Sequence, residues 1–380
     1  MNNSYRISVI LPSRDEAETI GECIRRIRDV FNRHNINGEI IVSDNSNDGT
    51  PEIAKSLGAK VVTPDRLGYG YAYLYGFKHA SGDILVLGDA DGTYDFSEMP
   101  RLLEPILKGE ADLVIGSRLK GKIEKGAMPW LHRYVGNPAL TFLLNVFFKA
   151  NVSDAHCGFR AIRKDALEKL NLKSYGMEFA SEMILKASLM GLRIKEVPIT
   201  YHPRKGGRSK LKSFRDGWRH LKFMLLFAPN YLYIYPGLSL FIFGFLLMLL
   251  SYSQVNVGYS PGLHSMVLGS FCLLVGFQIT FFGFFAEAYM ANVGLLKSGG
   301  VVRLILRHLS LERGIILGIL FFSTGLAYLV GLLIRWMSSG YTAFPLRGED
   351  IMAFTLLTLG LQIFFNSFLL SAFISFREPS

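Results

Sequence analysis

Two carboxylates separated by one small residue, Asp89-Ala90-Asp91, are the most chemically pointed feature of this 380-residue chain. They follow the continuous apolar run Ile84–Leu87, which reads as a strand buried on both faces of a parallel sheet. Gly88 and Gly92 flank the pair and let the backbone turn sharply where a ligand approaches. In open α/β sheets ligands bind off the carboxyl ends of the strands. Paired hard carboxylates there suit Mg2+ or Mn2+, which favour oxygen ligands and keep positions open for substrate phosphates. The plain alternative is a polar turn at a strand end, and the surrounding chain argues against it.

The elements that must position this pair can be read in order. Ile7–Pro12 predicts a first buried strand, ended by Pro12. Asp15–Glu18 then opens an amphipathic helix with Ile20, Ile24, Ile27 and Phe31 on one stripe. Glu39–Val42 is a second strand, and the turn-rich run Ser43–Thr50 precedes a helix over Pro51–Leu57. Lys60–Thr63 is a third strand, and a helix runs from Gly68-Tyr-Gly70 to His79. Asp112–Gly116 is the strand after the carboxylate pair, followed by a charged loop over Lys120–Gly126. Pro129–Lys149 and Glu178–Met190 have helical periodicity, Asp154–Arg160 is a turn-rich loop, and Ile194–Tyr201 is a strand. Alternating strands and helices predict a doubly wound, Rossmann-like α/β sheet.

Composition divides the chain. Half of the residues are hydrophobic and the mean hydropathy is +0.27, high for a soluble protein of this length. Of the net charge of +10, residues 1–230 carry +8 and the remainder +2. Within the first part, His202–Lys222 holds eight basic residues against Asp216 alone. Phe214, Trp218, Leu221 and Leu225 recur among those charges at helical spacing, predicting an interfacial helix on anionic lipid rather than a nucleic-acid patch. Four apolar stretches follow, at about 232–252, 263–290, 314–336 and 351–376, each long enough to cross about 30 Å of hydrocarbon. The chain therefore reads as a catalytic domain over 1–201, a basic interfacial segment over 202–230 and an all-α transmembrane domain over 231–380. Met1–Ser4 shows no signal peptide, and the connection Asn292–Arg313 is basic, so the first domain and both termini are expected on the cytoplasmic side. Three cysteines, Cys23, Cys157 and Cys272, have neither disulfide nor zinc spacing. Glu287 and Gln278 in the second span raise a transport path as an alternative.

Six segments in order resemble glycosyltransferase family 2: Leu-Pro-Ser-Arg-Asp-Glu16, Ser-Asp-Asn-Ser-Asn-Asp-Gly-Thr50, Gly-Asp-Ala-Asp91, Gly-Ser-Arg118, Cys-Gly-Phe-Arg160 and Arg204…Arg-Ser-Lys-Leu211. Within that family they look like the polyprenyl-phosphate glycosyltransferases, the group of the dolichyl-phosphate mannose and glucose synthases. The resemblance covers about residues 5–215. It implies a GT-A fold that binds a nucleotide-diphosphate sugar and a divalent metal. By that resemblance Pro12, Arg14, Glu16 and Asp44 would contact the nucleotide, with Ala90 beside the diphosphate. Ser43 stands where the family usually has a second Asp, and Thr93 where it often has a metal ligand. Asp89 and Asp91 would hold the metal. Ser117, Arg118, Arg133, Arg204 and Lys210 would hold the lipid phosphate, with Asp89, Asp91 and Arg118 central to catalysis.

The acceptor chemistry makes sense in its own terms. A lipid monophosphate has a second pKa near 6 and is already a nucleophile at neutral pH. The site needs a cationic cradle that holds two phosphates near one sugar carbon, and the arginine fork is suited to it. His132 and His156 lie in different loops without paired ligand spacing, so structural or positioning roles are expected of them. The reading is an inverting transfer of a hexose to a polyprenyl phosphate at the cytoplasmic membrane face. UDP-glucose is the preferred donor and GDP-mannose the alternative. A processive polysaccharide synthase would carry Gln-x-x-Arg-Trp; Arg335-Trp336 lacks the Gln and lies in a span. A lipid-linked sugar translocator would need more polar spans. No nucleic-acid partner is expected, and the sequence does not distinguish a monomer from a homo-oligomer.

Overall fold

The computed structural model describes residues 5–206, 213–256, 258, 260–292, 310–342 and 344–375. The chain divides into two compact units, Met1–Met224 and Leu225–Ser380.

In the first unit, uninterrupted apolar runs make the central strands, because a strand covered on both faces has no solvent side to mark with polar residues. β1 (Ile7–Ser13) and β4 (Ile84–Leu87) are almost wholly buried. They join β2 (Gly38–Asp44), β3 (Lys60–Val62), β5 (Leu113–Ile123), β6 (Arg160–Arg163) and β7 (Ile194–Tyr201) in one sheet of order β3-β2-β1-β4-β6-β5-β7. The β3-β2-β1-β4 part is parallel, β6 runs antiparallel to both β4 and β5, and β7 is parallel to β5. The sheet is therefore the expected α/β arrangement with one reversed strand inserted. Helices α1 (Ile20–Arg33), α2 (Thr50–Ser56), α3 (Tyr69–Lys78) and α4 (Met99–Leu107) connect its strands. A π-helical turn at His132–Gly136 enters α5 (Asn137–Phe148), and α6 (Lys164–Leu170), α7 (Phe179–Leu189) and α8 (Ser213–Leu226) follow.

Three boundaries differ from the sequence reading for physical reasons. Pro12 lies inside β1 and not at its end. The pairing with β4 has stopped at Ile10↔Leu87, so a residue without an N–H is tolerated there. Asp15–Glu18 are a loop before α1, because their N–H groups are capped from the next loop: Asp15 N donates to Ser46 Oγ (2.6 Å), Glu16 N to Thr50 Oγ1 (3.1 Å) and Ala17 N to Asp48 Oδ2 (3.2 Å). Lys120–Ile123, expected as loop, extend β5, with Lys122 and Ile123 paired to Thr200 and Tyr201 of β7 beyond an irregularity at Ser117.

In the second unit a π-helical turn, Asn230–Ile234, leads into α9 (Tyr235–Tyr252). It is followed by α10 (Leu263–Asn292), α11 (Leu311–Ser338) and α12 (Gly348–Ser375). All four are long and apolar enough to span a bilayer. Glycines let α9 and α10 touch backbone to backbone: a Cβ on Gly244 would collide with Leu273 N. Polar pairs bridge α10 and α12, with Ser270 Oγ 2.6 Å from Thr355 Oγ1 and Asn366 Nδ2 donating to Gln278 Oε1 at 3.4 Å.

Candidate active site

The carboxyl ends of the parallel strands β1, β2 and β4 open on one edge of the sheet. Their loops meet part of β5 and α8 around a cleft of about 480 Å3. Pro12, Arg14, Glu16, Ala90, Asp91 and Arg204 all line it, as do Asp89 and Arg118, so most of the residues singled out in the sequence converge.

Asp89 is gripped from α3. Tyr69 OH donates to Asp89 Oδ1 at 3.0 Å and Tyr73 OH at 3.4 Å. Burial, followed by the neighbouring Asp91 charge, pushes its carboxyl up to about 7. Asp91 is oriented by Thr93, whose N and Oγ1 donate to Oδ1 at 3.1 and 2.6 Å. Thr93 thus serves the pair by aiming a carboxylate. Thr19 Oγ1 donates to Ala90 O at 2.7 Å and fixes the residue between them. Gly92, at φ 76°, supplies the left-handed turn.

This donor set fits a divalent ion with open positions. Burial and the Asp91 charge make Asp89 costly to ionise, and a cation bound between the two would offset that cost. Among the described residues no group of three or more His, Cys, Asp or Glu converges as a closed protein cage. Diphosphate oxygens and water would complete the shell.

Arg204 corrects one expectation. It was placed with the acceptor, yet its guanidinium lies on the acids: Nη2 donates to Glu16 Oε1 and Nη1 stands 3.4 Å from Asp91 Oδ2. Nε donates to Gly206 O at 2.8 Å, which holds the side chain in that direction. Lys205 likewise reaches Glu22 at 2.8 Å and, as the largest cause, holds that carboxyl below its usual range.

Arg118 is 7% exposed and clamped by Asp154, to which its Nε and Nη2 donate at 2.7 and 2.8 Å. Its guanidinium also lies 5.1 Å from the Tyr201 ring centroid. Burial works to raise the Asp154 carboxyl, but the Arg118 charge and hydrogen bonds outweigh it and the pKa falls below the ordinary value. The pair is a fixed, charged device at the wall of the cleft.

Three residues fall outside the cleft. Ser117 is fully buried, with Oγ 2.7 Å from Ser153 Oγ and accepting from Lys120 N at 3.1 Å, and it does not line the cleft. Asp44 spends its oxygens on Ser46 N and Oγ (2.9 and 2.7 Å), and its neighbours Ser43 and Asn45 line the cleft in its place. Arg133 lies over the Tyr134 ring at 5.2 Å and does not line the cleft. Lys210 and Lys212 lie outside the described residues.

The sequence reading passed over Tyr69, Tyr73, Asp154 and the inner face of α8. Arg215, Asp216 and Arg219 line the cleft, while Phe214 (95% exposed) and Trp218 (58%) point outward. Arg219 is a wall residue of the cleft, 3.7 Å from Asp216. The four-residue spacing of Asp216, His220 and Met224 was the available signal for that inward face.

A mixed α/β sheet whose fourth strand leads into a metal-type carboxylate pair, followed among the described residues by four helices apolar enough to span a membrane, agrees with a membrane-borne enzyme of GT-A type. Residues 8–171 match the glycosyl transferase family 2 model, and residues 284–374 match the family's C-terminal transmembrane region. The low-salt glycan biosynthesis hexosyltransferase Agl6 of Haloferax volcanii is 46% identical over 367 residues, 96% of this chain and 88% of that protein. The chain belongs to glycosyltransferase family 2. A dolichyl-phosphate hexose transferase of the same organism is 32% identical over 214 residues, covering 56% of this chain and 89% of that one. Among solved structures, glucosyl-3-phosphoglycerate synthase from Mycobacterium tuberculosis with Mn2+, UDP and glucosyl-3-phosphoglycerate superposes with a TM-score of 0.46 at 26% identity, over 59% of this chain and 79% of that one.

Proposed function

We propose that the protein transfers a hexose from a nucleotide-diphosphate sugar to a polyprenyl phosphate at the cytoplasmic face of a membrane, with inversion at the anomeric carbon. One observation carries the reading: a single cleft contains both the Asp89–Asp91 pair and the buried, ion-paired Arg118, in a chain whose described residues include four helices long and apolar enough to span a membrane. Relatives described as a hexosyltransferase and a dolichyl-phosphate hexose transferase support the sugar class and the acceptor.

Asp89 and Asp91 would hold Mg2+ or Mn2+, which when bound offsets charge on the departing diphosphate. The carboxyl ends of β1 and β2 and the loops that follow them bind the nucleotide through Pro12, Arg14, Glu16, Ser43 and Asn45. Arg118, held by Asp154, orients the incoming lipid phosphate by charge-assisted hydrogen bonds. That phosphate needs no general base, since it is mostly dianionic at neutral pH. Its attack in line with the diphosphate inverts the sugar carbon. The outward aromatics Phe214 and Trp218 on α8 support a lipid-facing edge close to the cleft, as does the exposed set Trp130, Leu131, Tyr134 and Phe142.

The test is transfer in neutral detergent, with radiolabelled UDP-glucose or GDP-mannose, Mn2+ or Mg2+, and a short polyprenyl phosphate. One donor is expected to yield a solvent-extractable sugar phospholipid. Absence of product with every UDP- and GDP-hexose offered would overturn the proposal.

A further inference from the structure

The loop Asp154–Gly158 joins the two sides of the cleft. At one end Asp154 clamps Arg118. At the other, a Cβ on Gly158 would stand 3.1 Å from Asp89 Oδ2. His156 sits midway and lines the cleft. Its Nε2 is 3.3 Å from Ser181 Oγ, which is 2.7 Å from His220 Nδ1, and the two imidazoles meet edge to face at 4.6 Å. Its Nδ1 is buried and has no hydrogen-bond partner among the described residues. An unpaired buried polar atom costs about 1–3 kcal/mol, and because His156 lines the cleft, a ligand there that draws the ring toward it would relieve that cost. Burial, more than the nearby charges, pushes the ring's pKa well below its ordinary value. The neutral ring offers one hydrogen bond and no charge.

On the reading that a hexose passes here from diphosphate to lipid phosphate, the sugar lies between the carboxylates and Arg118, alongside His156. A hexose presents hydroxyls and no charge. We propose that His156 Nδ1 hydrogen-bonds one hydroxyl of the transferred hexose and thereby selects the sugar, while Ser181 and His220 hold the ring in place. It is a specificity residue and joins in no bond making. A site built to hydrogen-bond a hydroxyl discriminates strongly against analogues lacking it.

Two variants separate the ring's two nitrogens, because an Asn amide overlays the Nδ1 position and a Gln amide the Nε2 position. Full-length enzyme in detergent is assayed with the active donor, UDP-glucose or GDP-mannose, and with its deoxy analogues. His156→Ala is expected to lower kcat/KM roughly 10- to 100-fold with the parent sugar, the loss of one buried hydrogen bond. With one deoxy analogue the loss should nearly vanish. His156→Asn should retain most activity and His156→Gln should not. An equal loss on the parent and every analogue, or rescue by Gln and not Asn, would assign the ring to propping α8 and overturn the proposal. Calorimetry keeps this distinct from the transfer reading. His156→Ala should weaken binding of the nucleotide sugar but not of UDP or GDP alone, even in a preparation that transfers nothing to lipid phosphate. Unchanged binding of the sugar nucleotide would refute the contact by itself.

Discussion

His220 gives the structure a pH dependence that can be calculated. It packs inward from α8 at 7% exposure, with Nδ1 2.7 Å from Ser181 Oγ. Burial, opposed by the Asp216 charge and reinforced by Arg160, pushes its pKa from 6.5 to about 4. The unfolded chain therefore takes up this proton near pH 6.5 while the folded chain resists until about pH 4. The contribution is complete above the unfolded value and is lost as pH falls through that window. Linkage gives a loss of about 2 kcal/mol between pH 7.5 and 5 from this group alone, rising to about 3 kcal/mol near pH 4. His220→Gln keeps a neutral hydrogen-bonding side chain and removes the titration. Denaturant unfolding of the full chain in neutral detergent, followed by tryptophan fluorescence at pH 7.5 and 5, checks the value. The variant should lose about 2 kcal/mol less than the wild type over that interval, the remainder coming from His156 and other groups. An equally steep loss in both proteins would refute the inward, neutral placement of His220.

Other consequences can be tested alongside. Asp154→Asn leaves the buried Arg118 charge uncompensated, a loss of about 3–5 kcal/mol of stability by chemical denaturation, and should impair lipid transfer more than nucleotide binding. Asp91→Asn removes a charge from the metal's shell and should slow turnover at least about 100-fold, or roughly 2.7 kcal/mol of barrier, with weaker Mn2+ binding by titration; near-normal turnover after EDTA treatment and Mg2+ restoration would remove Asp91 from the site. A cysteine at exposed Ser260 should react with an impermeant thiol reagent from outside intact cells, and one at Ser298 should not. The opposite labelling would reverse the proposed orientation.

How much of this the sequence made legible depends on the range of the interactions. β4 and β1 were readable because both are uninterrupted apolar runs, and β7 matched its expected limits of Ile194–Tyr201. β6 was missed. Its first residue, Arg160, is 1% exposed, a charge where an apolar strand residue is expected. It is tolerated because Cys157 O, Ala180 O and Ala155 O accept its N–H groups at 2.7, 2.9 and 2.9 Å, and one-dimensional periodicity cannot show that. The carboxylate pair was legible from adjacency. The partner of Arg118 was not, because Asp154 lies 36 residues away and only the antiparallel β6 brings the two together. The family resemblance implies an acceptor role for Arg204, whereas its ion pairs with Glu16 and Asp91, distant in sequence, could not be read from the chain.

In the proposed reaction the acceptor is a lipid phosphate held by a cationic cleft, attacking without a protein base. The most direct measurement offers the purified enzyme, with its active nucleotide sugar and a divalent metal, either a polyprenyl phosphate or the matching polyprenol in the same detergent. Sugar phospholipid should form from the phosphate, with inverted anomeric configuration by NMR, and no product should form from the alcohol. Equal transfer to the polyprenol, or a product with retained configuration, would contradict the account.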